Sequence, residues 1–153
     1  MRKVLPALTL VLVLTVLPDK PLFAAENTGV MATVRQFFDG FNKGDLNAAV
    51  AACADEATVI DDFPPHEWRG KGCKKWADAF EALAKKEGIT DAKISPGPPK
   101  HVDVNDNRAY VVIPVTLVVN RGEKQKKLPS IFTAALHKEA SGWRITAWAW
   151  ADL

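Results

Sequence analysis

The sequence predicts an α+β domain in which helices come first and a meander of antiparallel strands follows. Up to residue 87, most of the chain carries apolar residues at helical spacing, interrupted by one short strand-like run. After residue 101, runs rich in β-branched and aromatic residues are separated by short turn segments containing Asn, Asp or Gly. Such turns between successive strands indicate antiparallel hairpins. A chain of 153 residues has the length of about one domain.

Three helices are predicted, at residues 28–43, 46–54 and 71–87. Gly44 ends the first, because glycine tolerates the left-handed conformation of a helix cap, and Asp45 caps the second through its carboxylate. The first helix has one apolar stripe, formed by Val30, Val34, Phe37, Phe38 and Phe41. We expect this stripe to pack against the sheet.

The first strand is predicted at residues 57–61, and a proline-containing loop follows it. Four more strands are predicted at residues 101–104, 108–119, 128–138 and 143–151. The long strand 108–119 is apolar on both faces, whereas a sheet covered on one side only would alternate with polar residues. This predicts that another subunit covers its second face. Pro114 lacks a ladder donor and suggests a bulge there.

The first 25 residues have the layout of a secretory signal peptide. A basic start, Met1-Arg2-Lys3, precedes a 14-residue apolar run at 4–17, and small residues suited to cleavage stand at Ala24 and Ala25. We therefore expect a mature domain of residues 26–153, exported to a periplasm or secreted. The alternative is an uncleaved anchor, but the run is shorter than the ~20 residues that span a bilayer. No membrane partner is expected after cleavage.

Charge and motif content exclude several classes of function. Without the leader, 17 basic and 17 acidic residues remain, so no net positive charge indicates nucleic-acid binding. The three histidines show no metal-ligand spacing, which predicts no metal site. Phosphate-loop and dinucleotide-binding motifs are missing from the sequence, and no cofactor is expected.

Four segments together resemble the nuclear transport factor 2-like superfamily, in its SnoaL-like and ketosteroid isomerase-like branch. They are FFDGFNKGDL (37–46), ADEATVIDD (54–62), WRGK (68–71) and GWRITAWAW (142–150). The resemblance implies a cone-shaped, curved antiparallel sheet, a cystatin-like roll, packed against three N-terminal helices. It also implies a pocket at the open end of the cone and frequent homodimers.

The resemblance carries over one catalytic residue. In ketosteroid isomerases a catalytic aspartate ends the first strand after an A-T-V-x-D run, and Asp61 matches it, which implies a general base. The tyrosine that those enzymes place on the first helix is replaced by Phe37. Their second oxyanion acid would fall near Phe132 or Thr133, which are not acids. Because pre-organised oxyanion donors supply several kcal/mol, ketosteroid isomerase activity itself is not expected.

The same comparison predicts that Ala147 and Ala149 face the pocket, while Trp148 and Trp150 face outward toward a partner. Asp62 is expected to point away from the pocket. Further pocket residues are predicted on the first strand, the following loop and two helices: Phe37, Val59, His66, Trp68, Trp76 and Phe80. Cys53 and Cys73, the only cysteines, either form a disulfide in an oxidising compartment or remain as thiols.

Two functions and one further possibility follow. The first is a non-catalytic, exported protein that binds a small apolar molecule in its cone. The second is an isomerase, cyclase or lyase that acts on a small molecule with Asp61 as general base. The third is a dimeric protein-interaction module, which needs only the tryptophan face.

Overall fold

The computed structural model describes residues 22–153, with side chains from Asn27 onward. Three helices are present in this part of the chain: α1 (Leu22–Asn42), α2 (Leu46–Val50) and α3 (Gly72–Glu87). The strands described there are β1 (Cys53–Ile60), β2 (Glu67–Trp68), β3 (Asp91–Pro96), β4 (His101–Asn105), β5 (Arg108–Arg121), β6 (Lys124–Glu139) and β7 (Gly142–Asp152). The predicted signal peptide lies almost wholly outside the described residues and stays a prediction.

The strands form one sheet in the order β2-β1-β7-β6-β5-β3, and β4 pairs with another part of β5. All pairs are antiparallel except β1–β7, which is parallel. The long β5–β6 and β6–β7 hairpins curve around the helices, which pack on one face of the sheet. The predicted α+β architecture is confirmed.

The apolar stripe of α1 lies against the inner face of the sheet, as predicted. Val30, Val34 and Phe37 are at most 1% exposed. Gly40 allows the close approach of α2, because a Cβ there would lie 2.3 Å from the Ala49 nitrogen. Asp45 caps α2 by accepting a hydrogen bond from the Ala48 N–H at 2.9 Å. The segment 37–46 thus sets the angle between the first two helices.

Two strands, β2 and β3, were not predicted, and β1 begins earlier than predicted. In β3, Ile94 exchanges two hydrogen bonds with the side chain of Asn42, whose amide donates at 2.8 Å and whose oxygen accepts at 2.6 Å. Asn42 therefore acts as a strand neighbour for β3. β1 begins at Cys53, four residues before the predicted start, because β7 pairs with it there. Strand formation at these positions depends on tertiary pairing more than on local propensity.

A bulge in β7 reverses the predicted direction of its side chains. Leu136 pairs with Ile145 and Ala135 pairs with Ala147, so Thr146 is an extra residue on β7. One extra residue exchanges the two faces of a strand. Trp148 is consequently buried inside the cone, 3% exposed, and the predicted outward tryptophan face is wrong.

The same bulge places Ala147 and Ala149 on the outer face of the sheet, so their predicted position in the pocket is also wrong. Pro114 does not carry the expected bulge. The pairing of β5 with β6 runs without a register shift through Pro114 and its partner Ile131. The sheet therefore changes register in β7, next to the site described below.

A disulfide joins Cys53 and Cys73, which settles the alternative that the sequence left open. It links the start of β1 to the first turn of α3. Gly72 lies in close contact with β1 beside this bond, because a Cβ there would be 2.3 Å from the Ala57 carbonyl oxygen. The bond and the contact hold α3 against β1, and both elements supply side chains to the candidate site.

Candidate functional site

A cavity of about 580 Å³ opens between α3, the C-terminal part of α1 and the inner face of the sheet. The helices contribute Phe37, Phe41, Trp76, Phe80 and Leu83. The end of β1 contributes Asp61, Asp62 and the adjoining Phe63, and β7 contributes Trp148, Trp150 and Asp152. The far side is formed by Ile89, Ile94, Leu117, Val119 and Leu128, with Arg121, Lys124, Gln125 and Lys126 at the rim. Such a concave, mostly apolar site with few polar groups is typical of small-molecule binding.

An aromatic cluster closes the inner end of this cavity. The Phe37 ring lies 5.8 Å from Phe132 and 5.5 Å from Trp148, between ring centres. Trp76 meets Trp148 edge to face at 4.8 Å and stacks on Phe80 at 5.5 Å. These rings fill the narrow end of the cone and leave its wide end open. The cavity therefore has an aromatic base and an open mouth.

Asp61 lies at the edge of this base, where β1 ends. The Trp76 indole N–H donates a hydrogen bond to Oδ2 at 2.6 Å, and the Asp62 backbone N–H donates to Oδ1 at 2.7 Å. Each carboxyl oxygen therefore has one donor. The two bonds fix the orientation of the carboxyl group at the cavity wall.

The pKa of Asp61 is raised from its ordinary 3.8 to about 7. Burial is the largest cause and the neighbouring Asp62 side chain adds to it, while the donors from Trp76 and the Asp62 backbone act in the opposite direction. A carboxyl group with this pKa is present in both protonation states near neutral pH. It can therefore accept or donate a proton, which is the property required of a general acid–base residue.

Three of the predicted pocket residues, Phe37, Trp76 and Phe80, border the cavity. Val59 does not, because it is fully buried in the core, and Trp68 pairs with it on β2 and packs on Phe63 at 5.0 Å. Their predicted place in the pocket is wrong. Both residues lie behind the cavity wall and support it.

His66 does not reach the cavity either, because it is exposed on the loop after β1. Its Nδ1 lies 3.2 Å from the Asp61 carbonyl oxygen, so the imidazole N–H donates to the backbone there. Asp62, expected to point away, borders the cavity beside Asp61. The loop thus supplies a second carboxyl group, that of Asp62, to the cavity wall. It also supplies the His66 imidazole, which bonds to the backbone at the end of β1.

Sequence reasoning missed the tryptophans of β7 and the basic residues of the rim. The tryptophans could not be placed because the Thr146 bulge has no clear sequence signal. The basic residues could have been placed from the sequence. Lys124 and Lys126 are an even number of residues from the buried Phe132 along β6, so they lie on the same face of the strand. Among the buried side-chain nitrogen and oxygen atoms of the described residues, only the Trp148 indole nitrogen has no hydrogen-bond partner.

No group of three or more His, Cys, Asp or Glu side chains in residues 22–153 is arranged to hold a metal ion. Within the same residues, each helix is too short or too polar to cross a membrane.

The fold and the site define an α+β roll with a half-buried carboxyl group, Asp61, at the wall of a mostly apolar cavity. The chain belongs to the SnoaL-like domain family, whose model matches residues 34–148. The match includes α3 and most of the sheet, and it ends at Trp148. No curated protein matches the chain in sequence.

Solved structures of the nuclear transport factor 2-like superfamily share this fold. A superfamily protein from Salmonella enterica serovar Typhimurium aligns over 85% of this chain and 92% of its own, with a TM-score of 0.72 and 14% identity. A ketosteroid isomerase-like protein from Erwinia carotovora atroseptica aligns over 86% and 98%, with a TM-score of 0.68 and 18% identity. A domain of unknown function with a cystatin-like fold, from Nostoc punctiforme, aligns over 85% and 78%, with a TM-score of 0.67 and 19% identity. At these identities the similarity shows the fold alone.

Replacing Asp61 by Asn is expected to stabilise the protein at neutral and higher pH. The folded carboxyl keeps its proton up to about pH 7, whereas the unfolded chain releases it near 3.8, so wild-type stability falls between these values and then levels off. The amide does not titrate, and its one oxygen accepts either the Trp76 or the Asp62 N–H but not both, a loss that is the same at every pH. The full shift corresponds to at most about 4 kcal/mol, and the partial exposure of Asp61 to water reduces the expected pH-dependent gain to about 1–3 kcal/mol.

Urea denaturation at about pH 4 and about pH 8 measures this difference in unfolding free energy. Asp55→Asn is the matched control, because Asp55 is exposed on the same strand. Its effect on the unfolding free energy should be small. A gain for Asp61→Asn that does not grow with pH would show that Asp61 has no raised pKa.

Proposed function

We propose that this protein binds a small apolar molecule in the cone, as an exported member of the SnoaL-like family. The observation that carries the proposal is the open cavity with an aromatic base and one half-buried carboxyl group. Rings of Trp76, Trp148 and Phe80 supply flat apolar surfaces, and Asp61 supplies a polar group that can orient a ligand. The leader-like first 25 residues support export.

Binding is tested by the emission of the tryptophans that border the cavity, with 2-tetralone as an apolar probe. We expect a saturable change in emission for the wild type. Leu83→Arg, which places a charged chain in the cavity, should weaken binding at least tenfold, since burying an unpaired charge is costly. Ala82→Arg is the control, because Ala82 is exposed on the same helix and should leave binding unchanged.

Circular dichroism checks that both variants keep the fold. A wild-type emission that changes only linearly with probe concentration would contradict binding in the cavity. So would Leu83→Arg binding as tightly as Ala82→Arg.

A second candidate function is general acid–base catalysis, favoured by the raised pKa of Asp61. In this proposal the Asp61 carboxylate removes a proton from a carbon beside a carbonyl group and returns it to another position. The electron pair moves onto the carbonyl oxygen, which needs a hydrogen-bond donor. Phe37 has no hydroxyl to supply one, but the unpartnered Trp148 N–H belongs to a residue that borders the same cavity. Isomerase, cyclase and lyase reactions share this first step.

The exchange of the α-protons of 2-tetralone in deuterated water, followed by proton NMR, tests this step directly. We expect the protein to accelerate exchange, with a rate that rises through about pH 7 as Asp61 loses its proton. Asp61→Asn should lower the accelerated rate by about 100-fold or more, because a general base contributes that much. Asp55→Asn should keep the wild-type rate. Equal exchange by wild type and Asp61→Asn would remove Asp61 from the mechanism.

We further propose that the protein is a homodimer formed through the outer face of the sheet. This face, turned away from the helices, is free of charge over a wide central area: Val112, Pro114, Thr116, Ile131, Thr133, Ala135, Ala147 and Ala149. Ile60 beside it is 50% exposed, which is unusual for a large apolar side chain. An uncharged face has no charge pattern to select a different partner, and a second copy of the chain is the partner that we propose for it. The tryptophans of β7 take no part, because they face inward.

Sedimentation velocity tests the dimer. Thr133→Glu places a charge at the centre of the outer face and should convert dimers to monomers, since an unpaired charge would be buried at the contact. Ala32→Glu on the exposed side of α1 is the control and should remain dimeric. A wild type that sediments as a monomer at micromolar concentration refutes the dimer but leaves the cavity proposals intact.

A further inference from the structure

The rim of the cavity at the β5–β6 hairpin carries three cationic side chains on one face. Arg121 and Lys124 pair directly across the two strands, and Lys126 pairs with Val119. Paired residues of antiparallel strands point to the same side. Here that side is the inner face, since Lys124 and Lys126 alternate in step with the buried Phe132 along β6. All three cations border the cavity. Like charges directly opposite each other destabilise a sheet, so the Arg121–Lys124 pair carries an electrostatic cost. A bound anion would reduce it.

Acidic partners for these cations are few. Glu87 lies 3.3 Å from the Arg121 guanidinium, with both side chains well exposed to water. Lys124 and Lys126 have no ion pair with the residues that the structure describes. Asp152, which also borders the cavity, accepts hydrogen bonds from Ser130 at 2.7 Å and from the Trp150 indole at 3.0 Å. Two ammonium groups therefore face the mouth without a counter-ion.

The opposite end of the cavity carries Asp61 and Asp62, and the lining between the two ends is apolar except for Asp152, whose carboxylate accepts the bonds from Ser130 and Trp150. An anionic group on a ligand would be repelled by these carboxyl groups and attracted by the rim. Lys126 lies six residues along β6 from Phe132, which belongs to the aromatic base. At about 3.3 Å per residue, the rim is on the order of 20 Å from the base along the strand. A ligand that spans this distance must be elongated.

We propose that the cavity takes an elongated amphipathic monocarboxylate, with its hydrocarbon part between the aromatic base and β6 and its carboxylate at Lys124 and Lys126. This inference rests on the proposed binding of apolar molecules and adds the chemical class and the orientation of the ligand. The carboxylate replaces the missing counter-ion, and the hydrocarbon chain covers Leu117, Leu128 and Trp150.

Decanoate and decan-1-ol form the matched pair of probes, because they differ in the head group and share the length of the chain. Each is titrated at about pH 8, where the decanoate head group is ionised, and tryptophan emission reports binding. Wild type should prefer decanoate by about fivefold to tenfold, the size expected from a few exposed ion pairs. Added salt should reduce this preference.

The variant Lys124→Gln/Lys126→Gln should bind decanoate no better than decan-1-ol, with its affinity for the alcohol unchanged. Lys127→Gln is the control. Lys127 follows Lys126 on β6, so its side chain is on the opposite face of the strand, and it does not border the cavity. It should keep the full preference for decanoate.

Equal affinity of the wild type for both probes would overturn the inference and leave apolar binding standing. A preference that survives the double substitution, or a double variant that loses the alcohol as well, would also overturn the assignment to the rim. Failure of both probes to bind would refute the inference, and if 2-tetralone failed too, the proposed function would fall with it.

Discussion

The bulge at Thr146 is the constraint on which the site depends. Without the extra residue, Trp148 would lie on the outer face of β7 and the inner end of the cone would be lined by alanines. With it, Trp148 packs against Phe37, Phe132 and Trp76 and closes the base of the cavity. Bulges commonly redirect a side chain beside a functional site, and the displacement of a single residue is sufficient to do so here.

The closed base in turn determines the properties of Asp61. Trp76 is held between Phe80, Phe41 and Trp148, so its N–H points at the carboxyl group from a fixed position. The same rings exclude water from one side of the group, and this desolvation is the largest cause of the raised pKa. A residue kept in this state lowers the stability of the fold above about pH 4. Such a cost is common at functional sites, where an unfavourable charge is retained for its chemistry.

The sequence was sufficient to predict three helices, the last four strands and the position of Asp61 at the end of β1, because these depend on local periodicity and on turn residues. The second helix was predicted too long, since it ends at Val50 and β1 begins at Cys53. It was not sufficient to predict the direction of side chains after position 145. Alternation along β7 assigns Trp148 and Ala149 to the correct faces only if the pairing with β6 keeps one register. The extra residue Thr146 shifts that register. β3 was missed for a related reason, since it pairs with the distant β5 and is bonded at Ile94 by the side chain of Asn42 on α1.

The two ends of the cavity have opposite electrostatic character, and this limits the ligands that fit the proposed functions together. A neutral apolar molecule would make favourable contacts with the aromatic base. It would leave the repulsion between the Lys124 and Lys126 ammonium groups uncompensated. A short anion would satisfy the rim but leave the apolar surface in contact with water. An elongated molecule with a single terminal carboxylate satisfies both ends. It would also place its neutral end near Asp61, the group that can exchange a proton near neutral pH. Ligand orientation and acid–base chemistry would then both depend on the separation of charges along the cone.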